Sequence, residues 1–147
     1  MRFSSRKKIL ICGSDVKHRL RLISSLRSSF DLIAEEEESI ALRFLRKQDI
    51  QGVILILSKR RFRQQMRLTQ EIKTEEKNPP VIFFVDPYFC LPNPTIYIKE
   101  NDIGGYVGGR KMNVDFTDII NQTFCGQKPI IIGKSSLRDK IWKHIRS

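Results

Sequence analysis

Four short apolar runs set the main constraint on this chain: KKILIC (Lys7–Cys12), FDLIA (Phe30–Ala34), GVILIL (Gly52–Leu57) and VIFFV (Val81–Val85). Between them lie longer segments whose apolar residues recur at helical spacing. The apolar stretches of the first, third and fourth, rich in β-branched and aromatic residues, read as buried strands, and FDLIA reads as a second short strand. Short buried strands alternating with amphipathic helices leave few architectures open. The expected one is a parallel sheet with helices packed on each side.

The first run is closed by Gly13-Ser14-Asp15, a turn followed by a helix cap. From Val16 to Ser29, the residues Val16, Leu20, Ile23, Leu26 and Phe30 are assigned to one face, with Lys17, Arg19, Arg21 and Arg27 elsewhere. Glu35–Glu38 places four acids before a helix through SIALRFLRK, where the helix dipole favours negative charge. Ile40, Leu42, Phe44 and Leu45 supply its apolar surface, and Arg46-Lys47 complement its far end. Phe62–Lys77 is a charged helical stretch with Phe62, Met66, Leu68 and Ile72 as apolar positions, stopped by Pro79-Pro80. GGYVGG reads as a fifth strand between glycines. NVDFTDIINQTF reads as a closing helix with Phe116, Ile119, Ile120 and Phe124 inward. The fold expected is α/β, a doubly wound five-stranded parallel sheet. One unit departs from the alternation: DPYFCLPNPTIYIKENDI carries Pro87, Pro92 and Pro94, which deny a regular helix until near Thr95. The fourth helix is therefore expected to be missing or reduced to a turn.

The chain has 147 residues, enough for one domain with its own core. Its 27 Lys+Arg against 16 Asp+Glu leave a net charge of +11, which favours acidic partners or spreads cations over solvated helices. No stretch approaches the roughly 18 apolar residues of a membrane span, and the basic start MRFSSRKKIL lacks the apolar length of a signal peptide. No membrane partner is expected. Cys12, Cys90 and Cys125 contain no CxxC pair, so neither a disulfide framework nor a zinc site is indicated. Reduced thiols in a cytoplasmic protein account for them.

Over about residues 7–125, the order and local sequence of KKILICGSD, SIALRFLRKQDIQGVILIL, NPPVIFFV and GGYVGG resemble the receiver domains of two-component response regulators. The resemblance implies a CheY-like (flavodoxin-like) fold. It also implies where phosphorylation chemistry would sit. Two acids after the first strand bind a divalent cation, an aspartate ends the third strand as nucleophile, a hydroxyl follows the fourth, and a lysine follows the fifth. Here the acid pair falls on Gly13 and Ser14, beside Asp15. The nucleophile falls on Ile56, or on Leu57 if the register slips by one; the hydroxyl falls on Val85 and the lysine on Gly109, just before Arg110 and Lys111. Asp15 can ligand an ion or cap the first helix, and the cap is the preferred reading. Asp86, before Pro87, reads as a turn residue rather than a replacement nucleophile. The expectation is a pseudo-receiver that keeps the fold without the phosphorylation site, with no catalytic residue, metal or cofactor.

The tail, GQKPIIIGKSSLRDKIWKHIRS, contains GKS at Gly133–Ser135. A phosphate-binding loop would need glycine five positions earlier, where Lys128 stands. Instead, IIGKSSLRDKIWKHIR is similar to the opening of the AAA+ ATPase domain of NtrC-type sigma-54-dependent activators. Residues 1–125 are thus expected to be the receiver-like domain, and 126–147 a linker with the first residues of a truncated AAA+ domain.

The resulting function expectation is regulation of an attached ATPase through dimerisation or other protein contacts, with DNA reached only indirectly. The alternative is a stand-alone basic module binding nucleic acid or a partner protein. Lys59, Arg60, Arg61, Arg63 and Arg67 in SKRRFRQQMR form its candidate patch. No DNA-reading motif is present. An enzyme is disfavoured, because His18 and His144 are the only histidines, far apart in sequence, and no nucleophile–base constellation surrounds either.

Overall fold

A computed structural model describes residues 6–85, 104–107, 118, 120–122 and 130–132. The order of elements is β1 (Lys8–Cys12), α1 (Val16–Leu26), β2 (Asp31–Glu35), α2 (Glu38–Lys47), β3 (Gly52–Leu57), α3 (Phe62–Thr74), β4 (Val81–Val85), β5 (Gly105–Val107) and β6 (Ile130–Ile132). Asp118 and Ile120–Gln122 are also helical. The strands form one sheet in the order β2-β1-β3-β4-β5-β6, and every neighbouring pair is parallel. This is the doubly wound α/β architecture read from the sequence. Beyond the first four strands, β5 and β6 are three residues each. β6 lies inside the segment expected to be linker, and there it extends the sheet past β5. The expected loss of the fourth helix concerns residues outside those described.

Alternation along each strand divides the core in two. Leu10, Cys12, Val53, Leu55, Leu57, Val81, Phe83 and Val85 face α2 and α3, meeting Ala41, Leu45, Leu68 and Ile72. Ile9, Ile11, Ile54, Ile56, Ile82 and Phe84 face the other way, meeting Leu22, Leu26, Phe30 and Ile120. All six residues of β3 are buried, as an interior parallel strand requires. Arg6 closes one helix end from outside, its guanidinium donating to the carbonyls of Arg27 (3.3 Å) and Ser28 (2.7 Å).

The helices lie over the sheet at rotations that apolarity alone did not give. On α1, Leu22 and Leu26 are buried, whereas Val16 and Leu20, expected inward, are 55% and 61% exposed. Leu20 and Leu22 are two residues apart, a turn of about 200° around the axis, so only one of them can face the sheet. On α2 the buried stripe is Glu38, Ala41 and Leu45; on α3 it is Gln65, Leu68, Thr69 and Ile72. Polar side chains occupy inward positions on both, and the expected Ile40, Leu42, Phe44, Phe62 and Met66 are half-buried along their flanks.

Candidate functional site

In an open parallel sheet, ligands and chemistry gather at the carboxyl ends of the strands. Here that edge is formed by residues 12–15, 35–38, 56–61 and 85. Four of the residues expected at a phosphorylation pocket are buried there: Gly13, Ile56, Leu57 and Val85, the last three no more than 2% exposed. Ile56 and Leu57 point to opposite faces of the sheet, one toward Ile11 and Phe84, the other toward Cys12 and Val85. Either register of the third strand therefore presents a hydrocarbon side chain. Gly109, Asp86, Arg110 and Lys111 lie outside the described residues.

Gly13, the residue after β1, packs its backbone against Ile56 of β3. A Cβ placed on it would stand 2.6 Å from Ile56 Cβ and 3.1 Å from the Ile56 carbonyl oxygen. Its φ is not left-handed, so the requirement for glycine comes from space. Backbone bonds hold the contact on both sides: the Gly13 N–H donates to Glu35 O at 3.0 Å, and the Gly13 carbonyl accepts from the Arg19 guanidinium. No side chain fits at 13 while Ile56 keeps this position.

The two neighbours of Gly13 diverge. Ser14 is exposed. Asp15 caps α1, its carboxylate accepting from the His18 N–H at 3.1 Å, while His18 Nδ1 lies 2.9 Å from the second carboxylate oxygen. The His18 ring in turn meets Phe84 edge-on, with centroids 5.5 Å apart. Partial burial acts to raise the Asp15 carboxyl, but the contacts from His18 outweigh it and hold it below the usual carboxylate range. Asp15 is thus committed to the helix cap. Among the described residues, no three His, Cys, Asp or Glu side chains group closely enough to hold a metal ion.

Two polar contacts that sequence reasoning missed fix the loop after β3. Gln65 is fully buried; its amide nitrogen donates to Ile56 O at 2.7 Å, and its amide oxygen accepts from Ser58 N at 3.1 Å. It satisfies the backbone where the strand stops pairing. Its position one turn before Leu68 and two before Ile72 was the available signal. Glu38, 7% exposed, receives the Arg61 guanidinium in a forked pair, with Nε 3.1 Å from both carboxylate oxygens and Nη2 also on Oε1. The bond to Glu38 and its charge raise the Arg61 pKa. Arg61 accordingly ties α3 to α2, while Lys59, Arg60, Arg63 and Arg67 remain exposed.

Beside this edge, burial, and secondarily the charges of Glu38 and Glu35, push the Cys12 thiol up to about 12. The thiolate is the reactive form. Peptide mapping after iodoacetamide treatment of the folded protein at pH 8 should leave Cys12 unmodified, and labelling should appear once urea unfolds the chain. Full labelling in native buffer would contradict its burial.

No protein-family model and no curated protein matches the chain. Solved structures do. One is the signal receiver domain of an HD domain-containing protein from Pseudomonas fluorescens Pf-5, with 20% identity and a TM-score of 0.67 over 82% of this chain and 96% of that one. Another is the isolated REC domain of RcsB from Salmonella enterica serovar Typhimurium, with 18% identity and a TM-score of 0.70 over 92% and 98%. The chain has the receiver fold. A third structure, of RcsB dimers bound to DNA, matches at 20% identity and a TM-score of 0.64 over 84% of this chain. The match covers 63% of that RcsB chain. The order β2-β1-β3-β4-β5 sets β1 beside β3, so that Gly13, just past β1, lies against Ile56 at the carboxyl edge of the sheet.

Proposed function

We propose that the chain is a regulatory receiver domain of a two-component response regulator that signals without phosphorylation. The observation that carries this reading is the seating of Ile56 on Gly13. Hydrocarbon and backbone fill the space that a nucleophilic carboxylate and its metal-binding acids would share, and neither isoleucine nor leucine accepts a phosphoryl group. Without that chemistry the domain acts by contact. It controls the oligomerisation or activity of an attached ATPase of the NtrC-type sigma-54 activator class, as a homodimer in the cytoplasm, and leaves sequence-specific DNA recognition to other parts of the regulator. It has no catalytic activity of its own. Support for dimerisation comes from RcsB, which is seen as dimers on DNA. Support for the attached ATPase rests on the tail sequence IIGKSSLRDKIWKHIR.

Intact-mass analysis after incubation with acetyl phosphate and magnesium tests the reading. The expected spectrum shows unmodified protein, and sedimentation at micromolar concentration shows a dimer whose population the phosphodonor does not change. A stoichiometric phosphoryl adduct, on Asp15 or Asp86 for example, would refute phosphate-independent signalling. A monomer throughout would remove the dimer alone.

A further inference from the structure

Of the five cations in the segment from Lys59 to Arg67, one is paired with an acid among the described residues. Arg61 is spent on Glu38. Lys59 and Arg60 are exposed in the turn before α3, and Arg63 and Arg67 are exposed on its surface, one helical turn or about 6 Å apart along the axis. No acid occurs between Lys59 and Gln70, so the next carboxylate along the helix is Glu71. Gln64 is exposed beside the arginines and adds an amide donor. The ridge is also held in place: Gln65 anchors the first turn of α3 to the end of β3, and the Arg61–Glu38 pair anchors it to α2. Charges on a fixed element keep their spacing, which a flexible basic tail does not.

The geometry points to this ridge as a contact surface for the phosphate backbone of duplex DNA, a direct and sequence-independent contact that goes beyond the regulatory role proposed above. Three of the four exposed cations are arginines, whose planar fork pairs with phosphate oxygens. A protein partner would need apolar or aromatic anchors at the centre of its contact. The large hydrophobic residues that stand exposed among those described are Val16 and Leu20, both on α1. The ridge thus carries charge without an anchor, which suits a phosphate backbone and not a protein groove. It includes no base-reading element, so affinity comes from counterion release and falls with salt.

The test uses the full 147-residue chain and a fluorescein-labelled duplex of mixed sequence, with anisotropy read between about 50 and about 200 mM salt. Two triple variants lose equal charge: Arg60→Ser/Arg63→Ser/Arg67→Ser on the ridge, and Lys17→Ser/Arg21→Ser/Arg27→Ser at exposed positions of α1 and its C-cap. The ridge variant should bind at least about tenfold more weakly at low salt. Its plot of log affinity against log salt should flatten by about 2–3, close to 0.9 for each phosphate contact removed. The α1 variant should track wild type in slope. Equal losses in both variants, or no binding by wild type at low salt, overturns the proposal. Polyglutamate competing as well as unlabelled duplex at equal charge overturns it too and assigns the ridge to acidic proteins. If circular dichroism shows the ridge variant unfolded, Arg63→Gln and Arg67→Gln singly give the same reading through slopes reduced by about 1 each.

Discussion

Gly13→Ala should destabilise the protein by about 2–3 kcal/mol, read as a lowered urea midpoint at unchanged slope. The added methyl would meet Ile56 Cβ at 2.6 Å and the Ile56 carbonyl oxygen at 3.1 Å. Neither atom is the free end of a side chain. Both move only if β3 moves, and β3 is paired with β1 on one side and β4 on the other. A second variant identifies which atoms matter. Ile56→Val removes the terminal methyl, which lies 3.3 Å from the added carbon, but keeps Cβ and the carbonyl. The alanine penalty should therefore persist nearly whole in the Ile56→Val background, so the two substitutions add. Relief of most of the penalty by valine would mean that the tight contact is made by the flexible end of Ile56. The same geometry means that a carboxylate side chain at position 13 would need room that Ile56 does not leave.

Gln65→Leu should cost about 2–4 kcal/mol, although leucine matches glutamine in volume and is the more apolar of the two. The native amide serves two backbone groups at once, the Ile56 carbonyl at 2.7 Å and the Ser58 N–H at 3.1 Å. Leucine answers neither, and each group left without a partner in buried surroundings costs about 1–3 kcal/mol. Urea unfolding measures the loss. Hydrogen exchange at the Ser58 amide, faster than that of the β3 core, would locate it. A variant as stable as wild type would mean that water reaches both groups and that Gln65 is not a latch.

How much could be read in advance depended on which force set each element. The strands β1, β3 and β4 were legible because burial on both faces demands an unbroken apolar run; Gly52–Leu57 and Val81–Val85 fall where the sequence places them. Helix rotation was harder. Counting apolar residues put Val16 and Leu20 inward with Leu26; the sheet takes Leu26 but pairs it with Leu22, and His18 lies on the same side with its ring against Phe84. On α2 and α3 the inward stripe includes Glu38 and Gln65, polar groups that become acceptable only when a specific partner meets them across space. No periodicity analysis supplies that partner. At the candidate site, the hydrocarbon at positions 56 and 57 was visible in the letters. The role of Gly13 was not, since it arises from an approach between residues 43 positions apart. Arg61 illustrates the converse: it looked like one more free cation until its pairing with Glu38 removed it from the basic patch.

An all-parallel sheet also determines how this chain must reach its native state. No two of β1 to β4 are joined by a hairpin; each pairing brings together strands separated by a helix or more. Such non-local pairing slows folding and leaves strands waiting for their neighbours. GVILIL and VIFFV, apolar, without proline and without charge, are then the segments most prone to pair with other copies. Lys59, Arg60 and Arg61 follow the first of them after Ser58, and Asn78-Pro79-Pro80 precedes the second, with Asn78 at a left-handed φ of 41°. Repulsion at one and a proline kink at the other interrupt the growth of an aggregate. The cations beside β3 therefore act before there is any domain surface, as gatekeepers of a strand that has not yet found its sheet.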